Sequence, residues 1–323
     1  MKKIAFFREK RFENNNFYNT NIDENLSPFK ALVDINGKEN TISYDQLDSR
    51  DDKDEFIILC WLTFSLYSLL KYLILFIKYR KNRKYYVILE PIVVAPLAYS
   101  IIFHKFFEKI LTWKDSLVDN NKYIKIFRPQ SYYGIQEEKQ FGSKKFTVLI
   151  NANKWSMFHN ELYSERIKIV QYFENNNKNI DVYWSWRNKP NFKQKILGFQ
   201  KITWYKWRVE NKIDTISSYK FNICFENMKD TPWYITEKIR DSLKAKTIPI
   251  YRWASNITDY IPENCFIDYR KYIWNNEELL NFLENMTEES YNNYIKNIEI
   301  FLDSDAARKW FDKQRAENFI TYL

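Results

Sequence analysis

The sequence predicts an α/β protein made of two Rossmann-like, parallel-sheet domains that face each other across a cleft. The chain has 323 residues, which is too long for one compact core of usual size. Apolar runs of strand length alternate with segments of helical periodicity, as is typical of parallel sheets with helices on both faces. Two of the four glycines and a proline cluster between residues 128 and 145, which predicts a linker there.

These observations predict three regions along the chain. The first domain spans residues 1–135, the second spans 136–300, and the periodic segment 301–323 forms a C-terminal helix. The strand-like runs are IAFF, FIILCWL, YYVILEP and KILTW, then FTVLINA, IDVYW, FNICFEN, TIPIY and CFID. Helical patterns cover Leu66–Lys81, Glu161–Phe173, Thr236–Ala245 and Glu277–Leu283. Ligands of such sheets bind beyond the carboxyl ends of the strands, so we expect the site in the cleft.

The segment from Phe56 to Ile77 is apolar over about the length of a membrane span. Lys71 and several hydroxyl residues interrupt it, which disfavours a transmembrane helix. Its first part has the composition of a strand, and its second part has leucines and isoleucines at helical spacing (Leu66, Leu69, Leu70, Leu73 and Ile77). We therefore interpret it as a strand followed by a buried helix, and a transmembrane span is the alternative.

A basic run, KYRKNRK, follows this segment. One interpretation is a solvated helix end, where the helix dipole favours cations. The other is a patch that contacts anionic membrane lipids at the inner face of the cytoplasmic membrane. Its basic residues are Lys78, Arg80, Lys81, Arg83 and Lys84.

The composition limits the possible functions. Fifty basic against forty-one acidic residues give a net charge of +9, which favours an anionic partner. The basic residues are dispersed and form no recognition motif, so we expect no nucleic-acid partner, although charge and aromatic content keep nucleic-acid binding as an alternative. The four glycines, at positions 37, 134, 142 and 198, are too far apart to form a Walker loop or a GxGxxG turn. The two histidines, His104 and His159, do not form an HExxH zinc site. Three scattered cysteines indicate buried thiols in a cytoplasmic protein.

The segment around residues 221–251 raises a question of charge. A strand ending in Glu226 and Asn227 leads through a short loop to a helix start at Thr236, and Lys238 lies in the first helical turn. A cation is disfavoured at that position by the helix dipole. Either Glu237 offsets this effect, or an anion such as a diphosphate binds there, against the free backbone N–H groups.

The same segment resembles a known family, the α-1,3/4-fucosyltransferases. The resemblance is carried, in order, by YKFNICFEN, WYITEKIRDSL, KTIPIY and PENCFIDYRKY, which lie between residues 219 and 272. Weaker similarity extends it over most of residues 85–270, including VILEP at residues 87–91. The resemblance implies a two-domain glycosyltransferase fold of the B type, GDP-fucose as donor, inversion at the sugar, and a last helix that packs back toward the first domain.

The resemblance also implies roles for six residues. Glu90 corresponds to the general base that takes the acceptor's proton; it could instead only end a strand before Pro91. Arg166 and Lys238 correspond to the residues that neutralise the diphosphate, although Arg166 could be an exposed helix residue. The remaining donor-binding positions are Asn227 in the donor pocket and Tyr234 and Glu237 beside the ribose and fucose.

The expected reaction moves fucose from GDP-fucose to a hydroxyl of a GlcNAc- or Glc-containing glycan, in a surface glycolipid or polysaccharide. We expect no cofactor and no obligatory metal, since a solvated loop explains the D-x-D motif at residues 303–305. Three features depart from the family: Trp184 and Trp253 replace glycines, the loop after Asn227 is one residue longer, and Met228 replaces a serine. Alternatives are therefore another nucleotide sugar, or a non-catalytic relative that binds glycans or membranes.

Overall fold

The computed structural model describes residues 1–19, 27–126, 135–154, 156–184, 192–196, 198–199, 201–308, 317 and 319–323. The chain divides into two compact units. One comprises Met1–Tyr133 with Arg308–Leu323, and the other comprises Gly134–Ala307. Each unit is built on a six-stranded sheet whose pairings are all parallel, so the predicted fold class is confirmed.

The sheet of the first unit has the strand order β2-β1-β3-β4-β5-β6. Its strands are β1 (Ile4–Phe7), β2 (Thr41–Ser43), β3 (Ile57–Cys60), β4 (Lys84–Ile88), β5 (Lys109–Thr112) and β6 (Tyr123–Lys125). Its helices are α1 (Ser27–Asn36), α2 (Leu69–Lys78) and α3 (Ile101–His104). Ile4 and Phe6 belong to one apolar core, whereas Ala5 and Phe7 belong to another. Alternate residues of a strand point to opposite faces, so this sheet is buried on both sides.

The sheet of the second unit has the order β12-β11-β10-β7-β8-β9. Its strands are β7 (Lys145–Asn151), β8 (Ile180–Trp184), β9 (Tyr205–Lys206), β10 (Tyr219–Phe225), β11 (Ile248–Arg252) and β12 (Ile267–Asp268). Its helices are α4 (Tyr163–Asn175), α5 (Phe192–Ile196), α6 (Lys212–Ser217), α7 (Glu237–Lys244), α8 (Asn276–Glu284), α9 (Glu288–Asp303) and α10 (Asp305–Arg308). β10 lies between β7 and β11, so the polar residues that follow it stand at the middle of the sheet edge.

The predicted buried helix after β3 forms, but the side that it buries was predicted wrongly. All five aliphatic residues at the predicted core positions are exposed, by 41% at the least: Leu66, Leu69, Leu70, Leu73 and Ile77. The helix instead packs Tyr72 and Leu75 against the sheet. The Tyr72 hydroxyl donates to the carbonyl of Leu62, which anchors this aromatic side of the helix. No helix in the described part of the chain is long and apolar enough to cross a membrane.

Most basic residues of the run after α2, which the sequence suggested as a lipid-binding patch, have partners within the protein. Lys84 is buried in β4, and its ammonium donates to the carbonyl of Asn82 at 2.7 Å. Lys84 is therefore not available to lipid headgroups. Lys78 pairs with Asp48, Lys81 pairs with Asp54 at 3.4 Å, and Arg83 pairs with Glu108 at 2.6 Å.

The end of the chain contributes to the core of the first unit. Phe319 and Leu323 are buried in the same cluster as Trp61, and the rings of Trp61 and Phe319 lie 5.6 Å apart. The Tyr85 hydroxyl donates to the carbonyl of Leu323 at 3.4 Å. Part of the predicted helix at 301–323 lies outside the described residues, namely 309–316 and 318.

Phe319→Ala should destabilise the first unit. Truncating a buried phenylalanine removes apolar contacts and leaves a cavity, and such substitutions cost about 3–5 kcal/mol. Chemical denaturation of the purified chain measures the change. The matched control is Tyr322→Ala, because the Tyr322 side chain is 40% exposed. The hydrogen bond from the Lys109 ammonium goes to the backbone carbonyl of Tyr322, which the substitution keeps. Equal unfolding midpoints for the two variants would contradict the packing described for Phe319.

Candidate functional site

The candidate site lies at the carboxyl end of β10 in the second unit. The strand ends at Phe225 and places Glu226 and Asn227 at the sheet edge, as the sequence predicts. The first turn of α7 comes to the same place, because Thr236 caps this helix and its backbone N–H donates to Glu226. Five of the six predicted site residues lie in or directly beside this cluster: Arg166, Asn227, Tyr234, Glu237 and Lys238.

Glu226 is a fully buried carboxylate with several hydrogen-bond donors. It accepts from the backbone N–H of Thr236 at 2.8 Å and from the Thr236 hydroxyl at 2.7 Å. The hydroxyl of Tyr251 donates to it at 3.4 Å. Burial first, and then the nearby charge of Glu226, raise the pKa of Tyr251 well above its usual value, so this hydroxyl keeps its proton.

Lys238 is the cation that Glu226 pairs with. Its ammonium lies 3.4 Å from a Glu226 carboxylate oxygen, donates to the Thr236 hydroxyl at 3.0 Å, and is 3.5 Å from Glu237. The side chain of Lys238 is only 9% exposed and that of Glu226 is not exposed, whereas that of Glu237 is 39% exposed. Two carboxylates therefore offset the cation in the first turn of α7. Sequence reasoning considered only Glu237 and missed Glu226.

Arg166 on α4 supports the turn that follows β10. Its guanidinium donates to the carbonyls of Phe225 at 2.6 Å and Glu226 at 2.7 Å. It also donates to the side-chain oxygen of Asn227 at 3.0 Å. Burial lowers the pKa of Arg166 from its usual value, and nearby Tyr163 and Glu226 oppose that shift. The alternative of an exposed helix residue is wrong, because Arg166 is 2% exposed.

Asn227 connects Arg166 to Tyr234. While its side-chain oxygen accepts from Arg166, its amide nitrogen donates to the Tyr234 hydroxyl at 2.9 Å. The backbone carbonyl of Asn227 also accepts from the N–H of Leu162, just before α4, at 3.0 Å. Asn227 therefore connects two separate parts of the chain, the start of α4 and the loop before α7, to the end of β10.

A second arginine, which sequence reasoning missed, ends the neighbouring strand β11. Arg252 is 5% exposed and pairs with Glu165 of α4 at 3.0 Å. Its backbone carbonyl accepts from the N–H of Glu226. Burial alone would raise the pKa of Glu165, but hydrogen bonds from Lys168 and Arg252 lower it. The sequence could have indicated Arg252 by its position, because it is a basic residue at the end of the strand that follows FNICFEN.

Glu90, the predicted base, belongs to the first unit. It lies two residues beyond the end of β4, at the carboxyl edge of that sheet, and is half-buried. The hydroxyl of Tyr99 donates to its backbone carbonyl at 2.9 Å. Burial first, then Tyr86 and Glu90, raise the pKa of Tyr99, so its hydroxyl remains a donor.

The two tryptophans at family glycine positions do not occupy the left-handed backbone region that favours glycine. Trp184 ends β8 and is buried, and neither Trp184 nor Trp253 has a positive φ. Positive φ angles do occur in the lengthened loop, where Asp230 has a φ of 60° and Trp233 a φ of 68°. The backbone N–H of Trp233 donates to the side chain of Asn256 at 2.9 Å, which supports this strained residue.

The described residues contain no group of three His, Cys, Asp or Glu side chains that could hold a metal ion. Within the D-x-D motif, Asp303 ends α9 and Asp305 begins α10. The three cysteines are buried and form no disulfide.

Comparison with known proteins identifies the family. The model of "Glycosyltransferase family 10 (fucosyltransferase) C-term" matches residues 144–310, more than half of the chain. The chain belongs to glycosyltransferase family 10, the fucosyltransferases. This family-10 chain is 40% identical to the α-(1,3)-fucosyltransferase FucT of Helicobacter pylori over 80 aligned positions, which cover 21% of this chain and 16% of the relative. The aligned part is thus less than a fifth of that relative's length.

Solved structures support the same fold for the family-10 chain. A crystal structure of α1,3-fucosyltransferase with GDP-fucose matches with a TM-score of 0.54 and 13% identity, covering 99% of this chain and 90% of that one. Anabaena Alr3699/HepE in complex with UDP and glucose matches with a TM-score of 0.57 and 9% identity, covering all of both chains. The predicted family and the glycosyltransferase fold of the B type are confirmed.

Glu226→Gln should weaken the second unit strongly. The substitution keeps the shape of the side chain but leaves the Lys238 ammonium buried without its main counter-charge. Breaking a buried ion pair from one side typically costs about 3–5 kcal/mol. Denaturant unfolding measures the loss, and Glu237→Gln is the control, because its more exposed pair should contribute at most about 1 kcal/mol.

A double variant separates the ion pair from general packing. In Glu226→Gln/Lys238→Met both charges are absent, so most of the loss caused by Glu226→Gln alone should be recovered. If the two substitutions were simply additive, the pair would not be the source of the loss.

Proposed function

We propose that the chain is an inverting α-1,3-fucosyltransferase that moves fucose from GDP-fucose to a hydroxyl of a GlcNAc- or Glc-containing glycan. The observation that supports this most is the cluster at the end of β10, in which Lys238, the first turn of α7 and the Arg166–Asn227–Tyr234 chain are held together. Membership in the fucosyltransferase family supports the sugar that is transferred.

The donor's diphosphate is proposed to bind at the start of α7. Helix N-termini favour anions, because free backbone N–H groups and the positive end of the dipole point toward the ligand. Lys238 adds a cation that Glu226 and Thr236 hold in one position. Glu237 is the more exposed carboxylate beside that ammonium, so it is the partner that a phosphate oxygen would displace.

Arg166 is assigned a positioning role in this proposal. Its strongest hydrogen bonds go to two backbone carbonyls and to Asn227, so it fixes the turn on which the donor pocket depends. Asn227 and Tyr234 then shape the pocket beside the ribose and fucose.

The proposed reaction is a single displacement. The acceptor oxygen bonds to C1 of fucose, the bond from C1 to the β-phosphate oxygen breaks, GDP leaves with that electron pair, and Glu90 takes the acceptor's proton. Cations and backbone N–H groups near the diphosphate stabilise the charge as it develops on GDP. No metal or other cofactor is included in this proposal. The acceptor is proposed to be a surface glycolipid or polysaccharide, assembled at the cytoplasmic side of the membrane.

The lengthened loop and the buried Trp184 favour one alternative, a different nucleotide sugar, because they change the surroundings of the donor pocket. Titration calorimetry with GDP-fucose and UDP-glucose distinguishes the two. Binding of GDP-fucose with release of fucose or transfer supports the proposal, whereas binding of UDP-glucose alone supports the alternative. A chain that binds a glycan or a membrane but turns over neither donor would be a non-catalytic relative.

Glu90→Gln should abolish most turnover and leave donor binding intact. Loss of a general base typically lowers kcat by a factor of about 10² to 10⁴, while the binding of GDP depends on residues in the other unit. Turnover of GDP-fucose with an N-acetyllactosamine acceptor measures kcat, and calorimetry with GDP measures the affinity.

Glu108→Gln is the matched control for Glu90, because it removes a carboxylate from the same unit. Glu108 pairs with Arg83 at the surface. Its substitution should leave kcat within about twofold of the unsubstituted chain, since exposed ion pairs contribute little. Equal kcat values for the Glu90 and Glu108 variants would exclude Glu90 as the base.

A further inference from the structure

One side of the first unit carries an exposed apolar surface, which we name the α2–α3 face. It comprises Leu70, Leu73, Ile74, Ile77, Ile102 and Phe106. Their exposed fractions run from 49% to 77%. Single exposed leucines are common in proteins, but this many large apolar residues in so short a part of the chain mark an interaction site.

The face is continuous across two elements. Its four residues on α2 are spaced at three and four positions, so they lie on one side of that helix. The ring of Phe76, on α2, stacks on the ring of Phe106, just after α3, with centroids 5.0 Å apart. Phe106 therefore lies beside α2. Tyr72 and Leu75 occupy the opposite side of α2 and bind it to the sheet.

The charged residues within the segments that form the face are basic, and the carboxylates Asp48 and Asp54 pair with Lys78 and Lys81 at the end of α2. No Asp or Glu occurs at residues 56–89 or 91–107. Lys71, Arg80 and Lys105 border the face in sequence, and within the described ranges none of them has an acidic partner. The face therefore combines an apolar centre with a basic border.

We propose that the α2–α3 face docks on the surface of an anionic lipid bilayer. Helices that lie in a membrane interface have an apolar side that reaches the acyl chains and basic residues at the headgroups. α2 has ten residues and is about 15 Å long, which suits lying in the interface and is too short to cross it. A second copy of the chain fits less well, because it would place the same three cations against each other.

This surface shares only Arg80 with the basic run that the sequence suggested. Lys78, Lys81 and Arg83 of that run are paired with carboxylates. The apolar residues, which were predicted to be core, supply the contact instead. The proposal does not depend on the proposed reaction or donor.

Sedimentation of the full chain with vesicles tests the proposal. The vesicles contain phosphatidylcholine alone, or three parts phosphatidylcholine to one part phosphatidylglycerol. Leu70→Glu/Ile77→Glu should lower the partition coefficient on the anionic vesicles at least about tenfold, because it places charges in the apolar centre. Trp274→Glu/Ile300→Glu, at exposed positions of the second unit, is the control with the same change in charge and should bind like the unsubstituted chain.

Each outcome decides the proposal. All substituted positions are exposed, so unchanged thermal unfolding shows that both double variants are folded. Selective loss of binding in Leu70→Glu/Ile77→Glu supports the proposal, and so does weaker binding of the unsubstituted chain to neutral vesicles. Equal binding by the two double variants, or no binding by the unsubstituted chain, would overturn it. A dimer in solution that only Leu70→Glu/Ile77→Glu dissociates, without binding to lipid, would assign the face to a second copy.

Discussion

The buried ion pair between Glu226 and Lys238 is the interaction on which the candidate site depends. A carboxylate with no exposed surface loses its hydration, which costs several kcal/mol unless an opposite charge and good hydrogen bonds replace the water. The cluster supplies both, through the Lys238 ammonium, the Thr236 hydroxyl and backbone N–H, and the Tyr251 hydroxyl. Because these donors come from β11, the loop and α7, one carboxylate at the end of β10 aligns all three.

This arrangement explains why a lysine is tolerated in the first turn of a helix. The dipole disfavours a cation there by up to about 1 kcal/mol, but the buried carboxylate of Glu226, at the end of the preceding strand, reverses the balance. The lysine is then held rigidly at the end of the helix that favours anions. A preorganised cation loses little freedom when a diphosphate binds, which is the property that a nucleotide-sugar site needs.

The sequence was most informative where local pattern determines structure. FNICF alternates with the period of a strand, and Thr236 precedes a segment with helical spacing, so β10 and α7 formed where they were predicted. The family motifs predicted that Asn227, Tyr234 and Lys238 lie close together. Asn227 follows the end of β10, Tyr234 lies just before α7, and Lys238 lies in the first turn of that helix.

The sequence was least informative where a choice depends on tertiary packing. The sequence of α2 has two apolar sides, one of leucine and isoleucine and one that contains Tyr72 and Leu75. Periodicity alone does not determine which of the two sides packs against the sheet. The role of Arg166 as a support for backbone carbonyls, and the contacts of Arg252, also depend on partners far away in sequence. Glu226 could have been recognised from its position at a strand end, but its pairing with Lys238 needed the geometry of the loop between them.

Hydrogen–deuterium exchange of the full chain, with and without GDP, tests the account most directly. If the diphosphate binds beside Lys238 at the start of α7, saturating GDP should slow exchange in peptides that cover residues 226–240 and leave α9 unchanged. Unaltered exchange at residues 226–240, or slowing confined to a different part of the second unit, would contradict the assignment of this cluster to the donor.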